Sequence, residues 1–447
     1  MIIIPEIFLS IGSLILLFLS PFFKENSHIK VGYLALILVF LTQFFVLKDI
    51  FYFEEVFNGF FVIDSFGSFL KSIILIGSGM VLYLYLIVKN DKSLLRPEFP
   101  IVILMSLIGM MLMVSANNLL SLFVSMELQS LSLYILVSFS KEDFSSSEAG
   151  VKYFVIGSLS TCIFLFGVSL IYGLIGSTSF SYISAFMADQ YAMPIMLIVG
   201  LIFILVSVSL KISAAPFHMW TPDVYQGAPT IVTAFLSTIP KIAAFSILIR
   251  LLVHPFGEII VDWGKIVIIL SISSMVIGSL GALRQTDLKR LMAYSTINHV
   301  GFMLMAFSTL SVDGNVAIMF YLTMYMFMNL SAFFMVIYVE NNYNVDSVDG
   351  WAGLGHKNLI LSAFMVISLV SLAGLPPTSG FVAKVYLFRT LFAEQQFYWL
   401  AIVGILNSVV SLYYYFKIVK SMYFKENDNL EVKNANPVIF WLIIIFS

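Results

Sequence analysis

The chain has 447 residues, of which 60% are hydrophobic, 15% are aromatic and only 11% are charged. Its mean hydropathy is +1.01. A soluble domain carries roughly 25% charged residues, so this composition excludes a soluble enzyme. The 23 basic and 25 acidic residues nearly balance, which leaves no positive field for nucleic acid. A single cysteine, Cys162, excludes an iron–sulfur cluster, a cysteine-built zinc site and an internal disulfide. The composition predicts a polytopic membrane protein.

Apolar runs long enough to cross a membrane recur along the whole chain. A helix needs about 20 such residues to cross ~30 Å of hydrocarbon. The candidate spans are 3–21, 29–47, 64–88, 99–116, 118–139, 149–174, 192–213, 228–250, 263–283, 288–309, 313–339, 358–391, 396–418 and 436–447. The last is too short to cross alone, and the first lacks the features of a cleavable signal. We predict an all-α polytopic membrane protein with about 14 transmembrane helices, one integral unit over residues 1–447.

The basic residues are divided unevenly between the two sides that alternating spans create. If the N-terminus lies outside, the inner loops hold Lys24, Lys30, Lys89, Lys92, Arg96, Lys141, Lys152, Arg284, Lys289, Arg290, Lys357, Lys417, Lys420, Lys425 and Lys433. The outer loops hold Lys48, Arg250, Lys265 and Arg389. Basic residues favour the cytoplasmic side of a membrane. The pattern therefore predicts that the N-terminus lies on the outer face.

Four ionisable residues inside predicted spans are the main functional candidates. They are Glu127 in the fifth span, Lys211 in the seventh, Lys241 in the eighth and Lys384 in the twelfth. A charge at the bilayer centre costs about 2.5–3.5 kcal/mol on insertion scales. Prolines that interrupt helices stand near the three lysines: Pro216, Pro240, Pro376 and Pro377. A broken helix at membrane depth is tolerated only where it is buried in protein or lines a water-filled cavity.

The positions of two breaks predict an internal repeat. Interrupted helices in corresponding halves of a chain indicate a transporter site. Here the breaks fall in the seventh and twelfth spans, five spans apart, and five is odd. We therefore predict two inverted five-helix repeats, spans 4–8 and 9–13. The predicted parts are the three N-terminal helices (1–98), the first repeat (99–250), the second repeat (262–424) and a short C-terminal helix (436–447).

The buried charges predict a proton relay. Desolvation disfavours the charged form of a lysine, so a buried lysine can exchange protons near neutrality. If Glu127 comes close to Lys211, it restores the charged form, and moving the two together or apart makes the lysine take up or release a proton. The alternative is that each charge belongs to a static pair that joins helices.

Three other residues are weaker candidates. His299, in the tenth span, can carry a proton between Lys241 and Lys384, although a hydrogen-bonded packing histidine explains it equally well. His218 is expected to pack in the broken seventh span, with relaying as the alternative. Lys71, near the outer end of the third span, is expected to reach the interface with Asp64 as its partner.

Three long motifs resemble a known family. The segment Lys211–Thr230 (KISAAPFHMWTPDVYQGAPT) resembles the broken seventh helix of the antiporter-like subunits of respiratory complex I. Leu288–Gly301 (LKRLMAYSTINHVG) resembles the family's tenth helix, and Gly374–Lys384 (GLPPTSGFVAK) its twelfth. The stretch Asp223–Pro229 resembles the subunit N branch in particular, as does Lys384, where subunit M usually has glutamate. The similarity covers nearly the whole chain, but segment 436–447 is shorter than in the family.

The resemblance implies a membrane-arm subunit of NADH–quinone oxidoreductase that translocates protons as quinone is reduced elsewhere in the complex. It implies that Glu127 is the acid that biases Lys211, Lys241 the connecting lysine and Lys384 the exit lysine. NADH, FMN, iron–sulfur clusters and quinone are expected on other subunits, with no cofactor on this chain. The implied neighbours are subunits M and K within a lipid bilayer, and the span layout is typical of a bacterial inner (plasma) membrane.

Two alternatives predict a different use of the same residues. A cation/proton antiporter outside any redox complex has the same lysines. A non-pumping scaffold of the membrane arm predicts that removing Lys211 or Glu127 disturbs assembly and leaves pumping by assembled complex untouched.

Overall fold

The computed structural model describes residues 3–23, 26–88, 93–189, 194–343 and 345–425. Predicted segment 436–447 lies outside these ranges. The helices are α1 (Ile4–Leu19), α2 (Ser27–Lys48), α3 (Ser65–Ile87), α4 (Glu98–Ser115), α5 (Leu119–Val137), α6 (Phe144–Ile175), α7 (Phe180–Ala188), α8 (Ile195–Ile212), α9 (Trp220–Gly227), α10 (Thr230–Val253), α11 (Ile260–Arg284), α12 (Leu288–Phe307), α13 (Val312–Tyr343), α14 (Leu354–Lys357), α15 (Leu359–Ala373), α16 (Ser379–Ala393) and α17 (Tyr398–Phe424). Between α2 and α3, β1 (Glu54–Val56) and β2 (Phe61–Ile63) form an antiparallel hairpin.

Membrane-spanning helices dominate the described part of the chain. Eleven helices there are long and apolar enough to cross a bilayer. These candidate spans are Ile4–Phe22, Ser27–Phe51, Ser65–Ile87, Glu98–Ser115, Leu119–Val137, Phe144–Ile175, Ile195–Ile212, Thr230–Val253, Trp263–Arg284, Val312–Tyr343 and Gln395–Phe424. The prediction of an all-α polytopic membrane protein is confirmed, whereas the count of about 14 spans stays a prediction.

The predicted tenth and twelfth spans are helical but fall outside those eleven. Helix α12 forms the tenth, and its polar residues, including Asn298 and His299, lower its hydropathy. The twelfth is divided into α15 and α16, each 15 residues long. Both spans carry the polar groups that the sequence singles out. The tenth span therefore falls outside the eleven because of its polar residues, and the twelfth because the break leaves two helices too short to cross alone.

Polar side chains fix where several helices begin. The side chains of Asp64, Asn118, Asp143 and Asp287 accept backbone N–H groups in the first turns of α3, α5, α6 and α12. The first turn of a helix has N–H groups without an intrahelical partner, which such caps satisfy. At its other end, α6 stops at Gly176, whose φ is +75°. These local signals set helix bounds that hydropathy alone gives only roughly.

The chain divides into two compact units. The first comprises the described residues up to Ile212, Gly227–Pro229 and Ile239–Trp263. In it α4 packs on α5 and α6 on α8, and α3 contacts α2 and α4. The second comprises Ser213–Gln226, Thr230–Thr238 and the described residues from Gly264 on. In this unit α13 packs on α12, α15 and α16, and α17 contacts α15.

The breaks in the seventh and twelfth spans are confirmed. Helix α8 ends before Ser213, whose φ is +66°, and α15 ends before Gly374, whose φ is +82°. Each break contains a cis X–Pro bond, Ala215–Pro216 and Pro376–Pro377. Left-handed backbone cannot continue a right-handed helix, so each span stops there.

The predicted break at Pro240 is wrong. Helix α10 runs through this proline from Thr230 to Val253. Proline lacks the N–H that would bond the carbonyl of Leu236. The Tyr225 hydroxyl donates to that carbonyl instead, at 3.2 Å. Because this tertiary contact satisfies the freed group, the helix continues.

Two glycines mark close contacts between helix backbones. A Cβ on Gly109 would lie 2.5 Å from the backbone nitrogen of Gln129, on α5, and a Cβ on Gly278 would lie 2.6 Å from that of Asn298, on α12. Neither backbone can give way without moving its helix.

We expect Gly109→Ala and Gly278→Ala each to lower the free energy of unfolding by about 1–3 kcal/mol. Gly79→Ala, where the nearest atom lies at 3.8 Å, is the matched control. Thermal unfolding of the purified protein measures the difference, and equal behaviour of all three variants would contradict it.

Candidate functional site

In the first unit, Lys211 and Glu127 lie in separate hydrogen bonds. Lys211 Nζ donates to Ser130 Oγ at 2.6 Å, and Thr161 Oγ1 donates to Glu127 Oε1 at 2.5 Å. Among the described residues, no ion pair joins Glu127 to Lys211. Glu127 and Ser130 stand three residues apart on α5 and therefore share a face of that helix. The structure brings the predicted acid and lysine to one place and shows them apart.

Lys241 reaches the point where α8 ends. Its side chain is only 1% exposed, and Nζ donates to the carbonyl oxygen of Lys211 at 3.2 Å. The last carbonyls of a helix have no intrahelical partner, and the helix C-terminus attracts positive charge. The break after Ile212 thus creates an acceptor that Lys241 uses. The side chain of Lys241 therefore contacts the backbone of Lys211.

In the second unit, Lys384 makes the corresponding contact at the other break. Its side chain is 4% exposed, and Nζ donates to the carbonyl oxygen of Ala373, the last residue of α15, at 2.7 Å. The ammonium also lies 4.7 Å from the centre of the Phe302 ring, within the range of a cation–π interaction. Each unit therefore places a buried lysine against the C-terminal end of a broken helix.

His299 is held by two tyrosine hydroxyls in the second unit. Its Nδ1 lies 2.6 Å from Tyr321 Oη and its Nε2 lies 3.0 Å from Tyr415 Oη. Tyr415 Oη lies 2.5 Å from Ser295 Oγ. A neutral imidazole donates through one nitrogen and accepts through the other. This chain of groups that both donate and accept can pass a proton, and it equally orders a packing histidine.

His218 lies within the break between α8 and α9 and is 9% exposed. Its ring centroid is 6.3 Å from that of Tyr294. Its backbone carbonyl accepts the N–H of Thr221. Its Nδ1 has no hydrogen-bond partner among the described residues, so packing is the simpler role.

The prediction that Lys71 pairs with Asp64 is wrong. Lys71 Nζ lies 2.6 Å from Glu6 Oε1, and both side chains are almost fully buried. Asp64 instead accepts two hydrogen bonds from Arg250, at 2.9 and 3.0 Å. Asp64 is close to Lys71 in the sequence, but its carboxylate already accepts hydrogen bonds from the first turn of α3 and from α10. Glu6 lies too far along the chain for any local pattern to indicate it.

No sequence pattern pointed to the hydroxyl groups that contact the charged side chains. Thr161 and Ser130 bind Glu127 and Lys211, whereas Tyr321 and Tyr415 bind His299. Serine, threonine and tyrosine are common in membrane helices, so their identity alone carried no signal. Ser130, three residues after Glu127, was the one that helix periodicity could have found.

Charged residues also form a network at the start of α12. Arg290 donates to Asp223 at 2.6 Å and to Gln226 at 3.0 Å.

A separate charged pair lies further along the chain. Hydrogen bonding and charge from Lys425 hold the pKa of the Asp349 carboxyl below its ordinary value. Within the described ranges, no three His, Cys, Asp or Glu side chains are placed to hold a metal ion.

The broken helices and buried lysines define an antiporter-like membrane protein. Residues 116–411 match the family model described as NADH:quinone oxidoreductase/Mrp antiporter, TM. The chain belongs to this family.

Relatives and solved structures show which members of the family this chain resembles. NADH-quinone oxidoreductase subunit N of Paramagnetospirillum magneticum is 41% identical over 95% of this chain and 88% of its own length. The subunit N of Pelagibacter ubique is 41% identical over 96% and 91%. The resemblance to subunit N is confirmed. A chain of respiratory complex I from Thermus thermophilus, with bound aureothin, superposes with a TM-score of 0.83 at 28% identity, covering 99% of this chain and 95% of that one. The Mrp complex from a Dietzia species shares the fold, with a TM-score of 0.83 at 21% identity over 97% and 82%.

Proposed function

We propose that this chain is a membrane-arm subunit of a proton-pumping NADH-quinone oxidoreductase, and that Glu127, Lys211, Lys241 and Lys384 carry its protons. One observation supports this assignment above the others: Lys211 contacts α5 one helical turn from Glu127, yet each of the two side chains is held by a hydroxyl group. A static ion pair would place them in contact. An acid and a lysine that are held apart within the membrane fit an electrostatic switch better than a static pair.

The mechanism follows from electrostatics. When the Glu127 carboxylate approaches, it stabilises the charged form of Lys211, which then takes up a proton. When Glu127 returns to Thr161, desolvation again favours the neutral amine, and Lys211 releases its proton. Lys241, which donates to the carbonyl of Lys211, is the next group along. From Lys241 the relay is proposed to continue to Lys384, with His299 as an intermediate group.

Matching contacts in the two units support the proposed inverted repeats over spans 4–8 and 9–13. Gly109 meets Gln129 twenty positions on, as Gly278 meets Asn298. Ser160 contacts Ser207 between α6 and α8, and the described helices α13 and α15 carry the same serine contact, between Ser331 and Ser368. The left-handed residues that end α8 and α15 correspond as well.

The remaining assignments concern the assembly. NADH, FMN, iron–sulfur clusters and quinone are proposed to bind other subunits, so that this chain holds no redox site. Its neighbours are proposed to be subunits M and K. The basic loops support an N-terminus on the periplasmic face of a bacterial inner membrane.

The proposed function is tested with Glu127→Gln, which removes the charge and keeps the shape. In membranes of the native host, we expect NADH-driven quinone reduction and proton translocation to fall together, several-fold or more, because Lys211 loses the charge that drives its proton uptake. Glu148→Gln is the matched control. That carboxylate pairs with Lys152 on the exposed face of α6, where an ion pair contributes little.

Other outcomes would separate the alternatives. If assembled complex with Glu127→Gln keeps full turnover and full proton yield, the chain is a scaffold. If cells that carry this chain alone show sodium-dependent proton transport, it is an antiporter. The similarity to the Mrp complex concerns the fold alone and does not favour the antiporter.

A further inference from the structure

The two hydroxyl groups that hold Glu127 and Lys211 have a property beyond simple hydrogen bonding. Each has a second bond within its own helix. Thr161 Oγ1, on α6, lies 2.5 Å from Glu127 Oε1 and 3.1 Å from the carbonyl oxygen of Gly157. A hydroxyl has one hydrogen to donate, so it serves one of these acceptors at a time. Thr161 therefore keeps a partner whether or not Glu127 is present.

Ser130 donates one hydrogen bond and accepts another. Its hydroxyl donates to the carbonyl oxygen of Met126 at 2.7 Å, one turn back on α5. Its oxygen also accepts a hydrogen bond from Lys211 Nζ. If Lys211 leaves, Ser130 loses an incoming bond but keeps the one that it donates. Unsatisfied polar groups are costly in a water-poor interior, and neither hydroxyl becomes one when the charges move.

The distance that the charges must move is short. Glu127 and Ser130 are three residues apart on one helix, so their Cβ atoms lie about 5–6 Å from each other. Lys211 Nζ is already bound at Ser130. A change of side-chain rotamer at Glu127 therefore brings its carboxylate from α6 to the lysine without moving a helix.

We propose that Thr161 and Ser130 are positioning residues: Thr161 stabilises the separated state of Glu127 and Lys211, and so sets how readily the pair opens, whereas Ser130 holds Lys211 beside α5 in both states. This inference rests on the proposed function. A hydrogen bond to a charged group changes the ratio of two states by on the order of tenfold or more. Without the Thr161 hydroxyl, the closed pair gains population, and Lys211 releases its proton more rarely.

The test uses Thr161→Val, which keeps the branched shape and removes the hydroxyl. In assembled complex in native-host membranes, we expect the maximal rate of NADH-driven quinone reduction to fall several-fold, on the order of tenfold, with the KM for quinone unchanged. Thr161→Ser retains the hydroxyl and should restore most of the rate. Ser158→Ala is the matched control, because its hydroxyl, on the same helix, donates to the carbonyl of Val155, three residues back, at 3.0 Å.

A double-mutant cycle separates positioning from packing. If Thr161 acts through Glu127, Thr161→Val should change the residual rate of Glu127→Gln complex by less than about twofold. An equal fall in both backgrounds, or a full rate for Thr161→Val alone, would overturn the inference. Glu127→Gln without effect would instead refute the proposed function, so the two failures are distinguishable.

Discussion

Replacing Lys211 with methionine is expected to abolish coupled turnover while leaving the complex assembled. Methionine roughly matches the lysine in volume and carries no charge. The Lys211 amine, which donates to the Ser130 hydroxyl, is the group that takes up the proton in the proposed path, so its loss interrupts that path even though the backbone carbonyl that Lys241 contacts stays in place. We expect quinone reduction and the accompanying proton gradient both to fall to about a tenth or less of wild type. Native gels establish assembly before either rate is compared.

The matched control is Lys152→Met. Lys152 is 44% exposed on α6 and pairs with Glu148 four residues earlier, at 2.9 Å. Such exposed pairs contribute only about 0.2–1 kcal/mol, so this variant should keep wild-type rates. Full turnover and proton yield in assembled Lys211→Met complex would mean that the lysine is structural. A fall in proton yield alone would mean that turnover does not require this relay.

Lys71→Met is expected to give the largest loss of stability. Removing one partner of a buried ion pair leaves the other charge without compensation, at a cost of about 3–5 kcal/mol. Here Glu6 would remain in a site where both side chains are almost fully buried, joining α1 to α3. We expect a lower unfolding temperature of the purified protein and less assembled complex.

The double variant Glu6→Gln/Lys71→Met provides the decisive comparison. It removes both charges, so most of the lost stability should return, to within about 1 kcal/mol of wild type. The exposed Glu148–Lys152 pair again serves as the reference, since breaking it should cost less than about 1 kcal/mol. If Lys71→Met is as stable as Lys152→Met, the buried pair contributes nothing to stability. If the double variant is as unstable as the single one, packing rather than charge explains the loss.

Hydropathy and short motifs predicted much of the candidate site. Glu127, Lys211, Lys241 and Lys384 were singled out because charge is costly at membrane depth, a property of each residue by itself. Pro216 and the pair Pro376–Pro377 marked the two breaks, since proline removes a helical hydrogen bond wherever it occurs. Pro240 wrongly indicated a break for the same reason: the carbonyl that it frees, that of Leu236, accepts a hydrogen bond from Tyr225, eleven positions before Leu236.

The sequence by itself determined the membrane-spanning class, the bounds of most helices and which residues carry unusual charge. These depend on composition and on neighbours within a few turns of a helix. Only the tertiary structure decided the partners: Thr161 for Glu127, Ser130 for Lys211, Glu6 for Lys71 and two tyrosines for His299. A hydrogen bond depends on atoms within about 3 Å. Helix packing brings those atoms together from distant parts of the chain, and no local pattern encodes which side chains will meet.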